Sequence, residues 1–155
     1  MLQLDVGVAE TFYAGGYPPP EDVVLEREAK TPNGSKAKVK VLVVDDEPLI
    51  ADTITEILNQ SGFLAEQAYD GMEALLKAQG SAPDVLLTDV LMPKLNGVEL
   101  AIALSASHPN TRVYLFSGQA ATGSIIQQAR AKGFQFEVLP KPIPPDQLIS
   151  KLRNT

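Results

Sequence analysis

Residues 39–48 read Val-Lys-Val-Leu-Val-Val-Asp-Asp-Glu-Pro, and this stretch decides the fold. Its short apolar run is rich in β-branched residues, which predicts a buried strand. The two acids stop the run, and Pro48 suits the first turn of a helix. The stretch therefore predicts a buried strand that leads directly into a helix.

The same order of strand and then helix recurs along the rest of the chain. Further strands are predicted at 64–68, 84–88, 112–116 and 136–139, and a helix is predicted over 125–131. Ile50, Ile54 and Ile57, with Leu49 and Leu58, mark one face of the helix that begins near Pro48. Asp70 and Asn96 are each followed three residues later by Glu, a spacing that resembles a capping box and marks two helix starts. Strands that alternate with helices favour parallel pairing, right-handed crossovers and helices on both faces of the sheet. The sequence thus predicts an α/β fold with a five-stranded parallel doubly wound sheet.

Residues 1–37 lack this regular pattern. They contain four prolines and four glycines and show no sustained apolar periodicity. Such a composition is typical of a mobile tail, with a docking or dimerising arm as the alternative. We therefore divide the chain into an N-terminal extension, residues 1–37, expected to be flexible, and one domain, residues 38–155.

The composition excludes several classes of function. The 155 residues include no cysteine and one histidine, which excludes a thiolate zinc site, a cysteine nucleophile and a histidine-cluster metal site. A net charge of −6 argues against a nucleic-acid-binding surface. No apolar run approaches the roughly 20 residues of a membrane span, and no signal-peptide pattern is present. We expect a cytoplasmic protein that binds neither nucleic acid nor membrane directly.

Polar side chains gather where the predicted strands end. Asp45 and Asp46 end the first strand, Asp89 the third and Ser117 the fourth, and Lys141 follows the fifth. In a doubly wound sheet the ligand site lies at the carboxyl ends of the strands. Each residue alone could be a helix cap, a turn residue or a solvated lysine. Their coincidence at one edge of the sheet favours a single site.

This set of side chains has the components of a phosphoryl acceptor. Carboxylates at close range repel one another, and Mg²⁺, which prefers oxygen ligands, relieves that repulsion. One carboxylate can instead attack phosphorus and carry an acyl phosphate. A lysine ammonium and a serine hydroxyl can hold phosphoryl oxygens. No evident group is present for general acid–base hydrolysis.

Four motifs resemble the receiver domain of two-component response regulators, and the resemblance covers residues 38–155. They are Val-Leu-Val-Val-Asp-Asp-Glu-Pro at 41–48, Asp-Val-Leu-Met-Pro-Lys-Leu-Asn-Gly at 89–97, Ser-Gly at 117–118 and Lys-Pro at 141–142. The resemblance implies the flavodoxin-like strand order 2-1-3-4-5. It also implies that Asp89 accepts a phosphoryl group from a sensor histidine kinase or a histidine phosphotransfer protein, and that an unknown downstream protein binds the phosphorylated form.

The resemblance further implies a set of Mg²⁺ ligands. Asp46, Asp89 and the backbone carbonyl of Leu91 would ligate the ion, and Asp45 would act mainly through a bound water. The phosphoryl group itself would contact other side chains.

The side chains that would contact the phosphoryl group lie at the ends of the fourth and fifth strands. Ser117 and Lys141 would contact the phosphoryl oxygens, and the small Gly118 would leave room for the group to enter. The Lys141–Pro142 peptide bond would be cis, which X-Pro bonds tolerate.

The fifth strand departs from the family pattern. An aromatic residue usually lies three positions before the lysine and reports phosphorylation through its rotamer, together with Ser117. Here that position is Val138, and Phe136 lies two residues earlier. Phe136 is a candidate substitute in this switch, with packing in the core as the alternative.

Three functions follow, in decreasing order of preference. The first is a stand-alone receiver that signals through partner binding or phosphorelay, because the length leaves no room for an effector domain. The second is an interaction module on a receiver scaffold that works without phosphorylation. The third is a Mg²⁺-dependent phosphatase with an aspartate nucleophile. We expect the chain not to be an enzyme in the ordinary sense.

Overall fold

The computed structural model describes residues 37–118 and 122–154. Within these ranges five strands alternate with five helices. They are β1 Lys40–Val44, α1 Pro48–Gln60, β2 Leu64–Ala68, α2 Gly71–Gly80, β3 Val85–Asp89, α3 Gly97–Ser107, β4 Arg112–Ser117, α4 Thr122–Ala131, β5 Glu137–Pro140 and α5 Pro145–Arg153. The extension predicted to be flexible lies outside the described residues, apart from its last residue.

All five strands are parallel and form one sheet in the order β2-β1-β3-β4-β5. The register aligns Val44 of β1 with Ala68 on one side and Thr88 on the other. Asp89 pairs with Phe116, so the carboxyl ends of β3 and β4 lie side by side. The predicted doubly wound sheet and its strand order are confirmed.

The core lies on both faces of the sheet because consecutive residues of a strand point to opposite faces. Val41 and Val43 of β1 pack with residues of α1 and α5, and Leu42 and Val44 pack with residues of α2, α3 and α4. All four side chains are buried. Full burial stabilises the fold by about 1.5–3 kcal/mol for each such side chain, which accounts for the unbroken apolar run.

The helix starts follow local hydrogen bonding. The Asn96 side chain accepts from the backbone N–H of Glu99 at 2.8 Å, and the Glu99 carboxylate accepts from that of Asn96 at 2.9 Å. This is the predicted capping box. Asp70 likewise accepts from the N–H of Glu73, but the Glu73 carboxylate accepts from Tyr69, one residue before the cap. The second box is therefore not reciprocal.

β5 begins and ends one residue later than predicted. Its last residue, Pro140, pairs with Ser117 at the edge of the sheet, where a residue without an N–H is tolerated. Phe136 precedes the strand, stacks on Phe134 with ring centroids 6.0 Å apart, and packs against the core. Val138 packs against the same core cluster. This placement favours the packing role of Phe136, and its part in a switch stays a prediction.

Two further features bear on the sequence predictions. The Lys141–Pro142 peptide bond is cis, as predicted. In the described ranges, none of the helices is both long and apolar enough to span a bilayer.

Candidate functional site

Three carboxylates meet at the carboxyl ends of two neighbouring strands, β1 and β3. Asp45 and Asp46 follow β1 directly, and Asp89 is the last residue of β3. Each offers one carboxylate oxygen, and the three oxygens lie within 4.8 Å of one another. Asp45 is buried at 1% exposure, Asp46 is exposed, and the Asp89 side chain is 14% exposed. The topology thus brings the predicted acidic residues together.

Lys141 joins two of these carboxylates. Its Nζ lies 3.1 Å from Asp45 Oδ2 and 3.1 Å from Asp89 Oδ1. The Nζ also lies 6.0 Å from the centroid of the Phe116 ring. The second oxygen of Asp45 accepts from the backbone N–H of Glu47 at 2.9 Å. Asp45 therefore orders the turn before α1 and belongs to the site as well.

The negative charges of the site outnumber its positive charges. The pKa of Asp89 is raised above its ordinary value, mainly because the carboxyl is buried. The charge of Lys141 lowers this pKa, and the charges of Asp45 and Asp46 raise it further. Burial lowers the pKa of Lys141, but its hydrogen bond to Asp45 and the charge of Asp89 together raise that pKa above the usual value. One ammonium thus faces three carboxylates.

This donor set fits Mg²⁺. The ion takes oxygen ligands, commonly one or two carboxylates with several waters, and it offsets the residual negative charge. Asp46 and Asp89 both line an adjoining cleft, whereas Asp45 is buried and is paired with Lys141. Direct ligation by Asp46 and Asp89 and a water-mediated role for Asp45 stay predictions. Leu91 also lines the cleft, and its backbone carbonyl as a ligand stays a prediction.

The cleft extends well beyond the acidic residues. Its volume is about 690 Å³, and it runs between α1 and the segment from β5 into α5. Its apolar wall comprises Ile50, Ile54, Ile57, Phe116, Pro142, Ile143, Pro145 and Leu148. The sequence had assigned the α1 isoleucines only to a helical face, so this wall was not predicted. Asp89 and Lys141 therefore share a cleft that has a long apolar wall, together with the polar residues Asp46, Glu47 and Thr122.

Ser117 lies at the end of β4 and is hydrogen-bonded through its Oγ to Oγ1 of Thr122, the first residue of α4. Thr122 is 3% exposed and lines the cleft. Sequence reasoning missed Thr122 because α4 was predicted to begin only at residue 125. A Cβ on Gly118 would lie 3.1 Å from Cβ of Lys141. The small residue thus leaves room for the lysine stem, a reason that adds to the predicted one.

Replacing Asp89 with asparagine is expected to raise the melting temperature by a few degrees at neutral pH without Mg²⁺. A carboxyl whose folded pKa is raised binds its proton more tightly in the folded state. Its contribution to stability is therefore greatest at low pH and is lost as pH rises through the raised pKa. Asparagine does not ionise, so the difference between the two proteins should vanish towards pH 3.8, the ordinary value.

Thermal melts from pH 3.5 to 8 would measure this difference. Saturating Mg²⁺ should reverse the order of the two melting temperatures, because a ligand that binds only the folded wild type stabilises it by mass action. A variant that is less stable than the wild type in metal-free buffer at pH 7 would contradict a raised pKa of Asp89 in the folded protein.

Comparison with protein families gives a match over most of the domain. A family model described as response regulator receiver domain matches residues 41–153. Among curated proteins, the response regulator MprA of Mycobacterium ulcerans is 29% identical over 115 residues, which cover 74% of this chain and 49% of that protein. The probable transcriptional regulatory protein TcrX of Mycobacterium tuberculosis is 31% identical, with coverages of 74% and 48%. The chain spans about half the length of the curated relatives it matches.

Solved structures give the same match in three dimensions. The chemotaxis protein CheY4 of Vibrio cholerae aligns with a TM-score of 0.68 and 32% identity, over 76% of this chain and 98% of that one. The receiver domain of NtrX from Brucella abortus aligns with a TM-score of 0.65 and 28% identity, over 74% and 95%.

Proposed function

The chain belongs to the response regulator receiver family, and from this premise we propose that Asp89 accepts a phosphoryl group from a histidine kinase or a histidine phosphotransfer protein in a Mg²⁺-dependent reaction. Receiver domains are signalling modules of two-component systems and not classical enzymes. The observation that carries the proposal is the bridging of Asp45 and Asp89 by Lys141, at 3.1 Å from each, where Asp89 lines the cleft.

In the proposed step, a carboxylate oxygen of Asp89 attacks phosphorus. The bond from phosphorus to the donor, a phosphohistidine nitrogen or the oxygen of a small acyl phosphate, breaks, and the leaving group keeps the electron pair. The product is an acyl phosphate on Asp89. Lys141 holds one phosphoryl oxygen as a point charge, and the Ser117 hydroxyl donates to another.

Mg²⁺ would be held by Asp46, Asp89 and the Leu91 carbonyl, with Asp45 acting through a water. When bound, the ion supplies neutralisation of charge on the transferring group. Without that neutralisation, the phosphoryl group would approach carboxylates whose mutual repulsion already contributes to the raised pKa of Asp89. Metal dependence of phosphorylation is therefore part of the proposal.

The output is proposed to be partner binding or further phosphoryl relay. A phosphoryl group adds about two negative charges and three acceptor oxygens, enough to reorder nearby loops. The curated relatives are about twice as long as the matched region. The expectation that this receiver acts without an attached effector stays a prediction.

Incubation with a small acyl phosphate and Mg²⁺ is expected to add the mass of one phosphoryl group to the intact wild-type protein. Asp89→Asn should show no gain, because it lacks the nucleophile. Asp52→Asn is the matched control, since Asp52 lies on α1 and accepts from the Tyr69 hydroxyl outside the site. A wild type that gains no mass, or an equal gain in Asp89→Asn, would refute the proposal.

A second candidate is an interaction module that works without phosphorylation. Val138 at the usual aromatic position, together with the packing of Phe136 against Phe134, favours it. Equal affinity for a partner before and after phosphorylation would support this second candidate. The phosphatase is not proposed, because the positions directly after Asp89 are the apolar Val90 and Leu91, which cannot protonate a leaving group.

A further inference from the structure

A pair of hydroxyl groups connects the end of β4 with the beginning of α4. Ser117 Oγ and Thr122 Oγ1 are hydrogen-bonded to each other. Thr122 is almost completely buried, and its β-branched side chain has few rotamers within a helix. Ser117 is only half-buried and is unbranched. The more rigid partner in this pair is therefore Thr122.

We propose that Thr122 is a positioning residue for phosphoryl acceptance, acting through the Ser117 hydroxyl; this inference rests on the proposed function. A hydroxyl has one hydrogen to donate and two lone pairs to accept with. When Thr122 donates to Ser117, the hydrogen of Ser117 is directed to another acceptor. With a phosphoryl group on Asp89, that acceptor is a phosphoryl oxygen.

The resulting series of hydrogen bonds runs from Thr122 through Ser117 to the phosphoryl group. Hydrogen bonds in such a chain polarise one another, so the donation from Thr122 makes Ser117 a better donor to the charged oxygen. These hydrogen bonds also connect the first residue of α4 with Asp89, so that α4 responds to the phosphorylation of Asp89. Val138 cannot make the rotamer change of an aromatic residue, and the hydroxyl pair is a connection from the site to α4 that does not need one.

Replacing Thr122 with valine removes the hydroxyl and keeps the branched shape. We expect the rate constant for phosphorylation by a small acyl phosphate to fall about three- to tenfold, the loss of one hydrogen bond. The dissociation constant for Mg²⁺ should stay unchanged, because the ion is held by carboxylates and not by Ser117. Thr122→Ser should restore the rate. A purely structural defect would weaken Mg²⁺ binding along with the phosphorylation rate, and serine at this position would not restore the rate.

Thr55→Val is the matched control. Thr55 is also a buried threonine on a helix, but its Oγ1 has no hydrogen-bond partner among the described residues. The same substitution there removes no bond, so the phosphorylation rate should not change. If Thr122→Val does not melt cooperatively, Thr122→Ala compared with Thr122→Ser tests the same hydroxyl.

A double-mutant cycle tests whether Thr122 acts through Ser117. In a Ser117→Ala background, Thr122→Val should cause no further loss of rate. A Thr122→Val protein that matches the wild type in rate, or that loses the same factor in the Ser117→Ala background, would overturn the inference. Failure of the wild type itself to gain a phosphoryl group would instead refute the proposed function, so the two failures are distinguishable.

Discussion

Replacing Lys141 with methionine is expected to slow phosphoryl transfer to Asp89 by about 100- to 1,000-fold, the usual cost of removing one group that stabilises charge in a transition state. The Lys141 ammonium lies 3.1 Å from Asp89 Oδ1, next to the atoms that react. Methionine keeps an unbranched apolar stem beside the Phe116 ring and removes only the charge and the hydrogen bonds. The rate constant with a small acyl phosphate and Mg²⁺, followed by intact mass, measures the loss.

The same substitution should also lower the free energy of unfolding. Asp45 is buried and would lose the ammonium that pairs with it, which costs about 3 kcal/mol in comparable buried pairs. Rates are therefore to be compared at a temperature where the melt shows the variant to be folded. Lys151→Met is the matched control, because Lys151 pairs with Glu137 on the surface and should leave the rate unchanged. A Lys141→Met protein with a nearly normal rate would exclude Lys141 from phosphoryl transfer.

The parallel sheet and the clustering of the acidic side chains could be predicted from the sequence, because both depend on short-range patterns. The β-branched run at 41–44 predicts a buried strand by itself, and crossover rules then align the carboxyl ends of parallel strands. Asp45, Asp89 and Lys141 lie close together for this reason, although they are up to 96 residues apart in sequence.

The contacts of Thr122 could not be predicted, because they depend on where α4 begins. Residues 119–124 read Gln-Ala-Ala-Thr-Gly-Ser, which contains neither an apolar repeat nor a capping-box pair, so the helix was predicted only from Ile125. The apolar cleft escaped prediction for a related reason. It is formed where α1 faces the segment after β5, and periodicity within one helix does not reveal which neighbour it faces.

Replacing Gly97 with alanine is expected to lower the free energy of unfolding by about 3 kcal/mol. Gly97 is the first residue of α3, and its N–H donates to the carbonyl of Val90 at 2.8 Å. A Cβ at this position would overlap the carbonyl oxygen of Asp89 and lie 2.9 Å from its carbonyl carbon. These are backbone atoms, so relief requires α3 to move away or the end of β3 to shift.

Either movement should also disturb the acidic site. A shift of the Asp89 backbone changes the position of its carboxylate relative to Lys141, so Mg²⁺ affinity and phosphorylation rate should fall together, unlike the split expected for Thr122→Val. Gly80→Ala is the matched control, because Gly80 ends α2 and, in the described part of the chain, no atom outside its chain neighbours and its own helix backbone lies within 4 Å of the added Cβ. There, alanine should raise the free energy of unfolding by up to about 1 kcal/mol. Denaturant unfolding measures both proteins. Equal stability of Gly97→Ala and the wild type would mean that α3 can retreat freely, in which case its contact with Asp89 does not hold the acceptor in place.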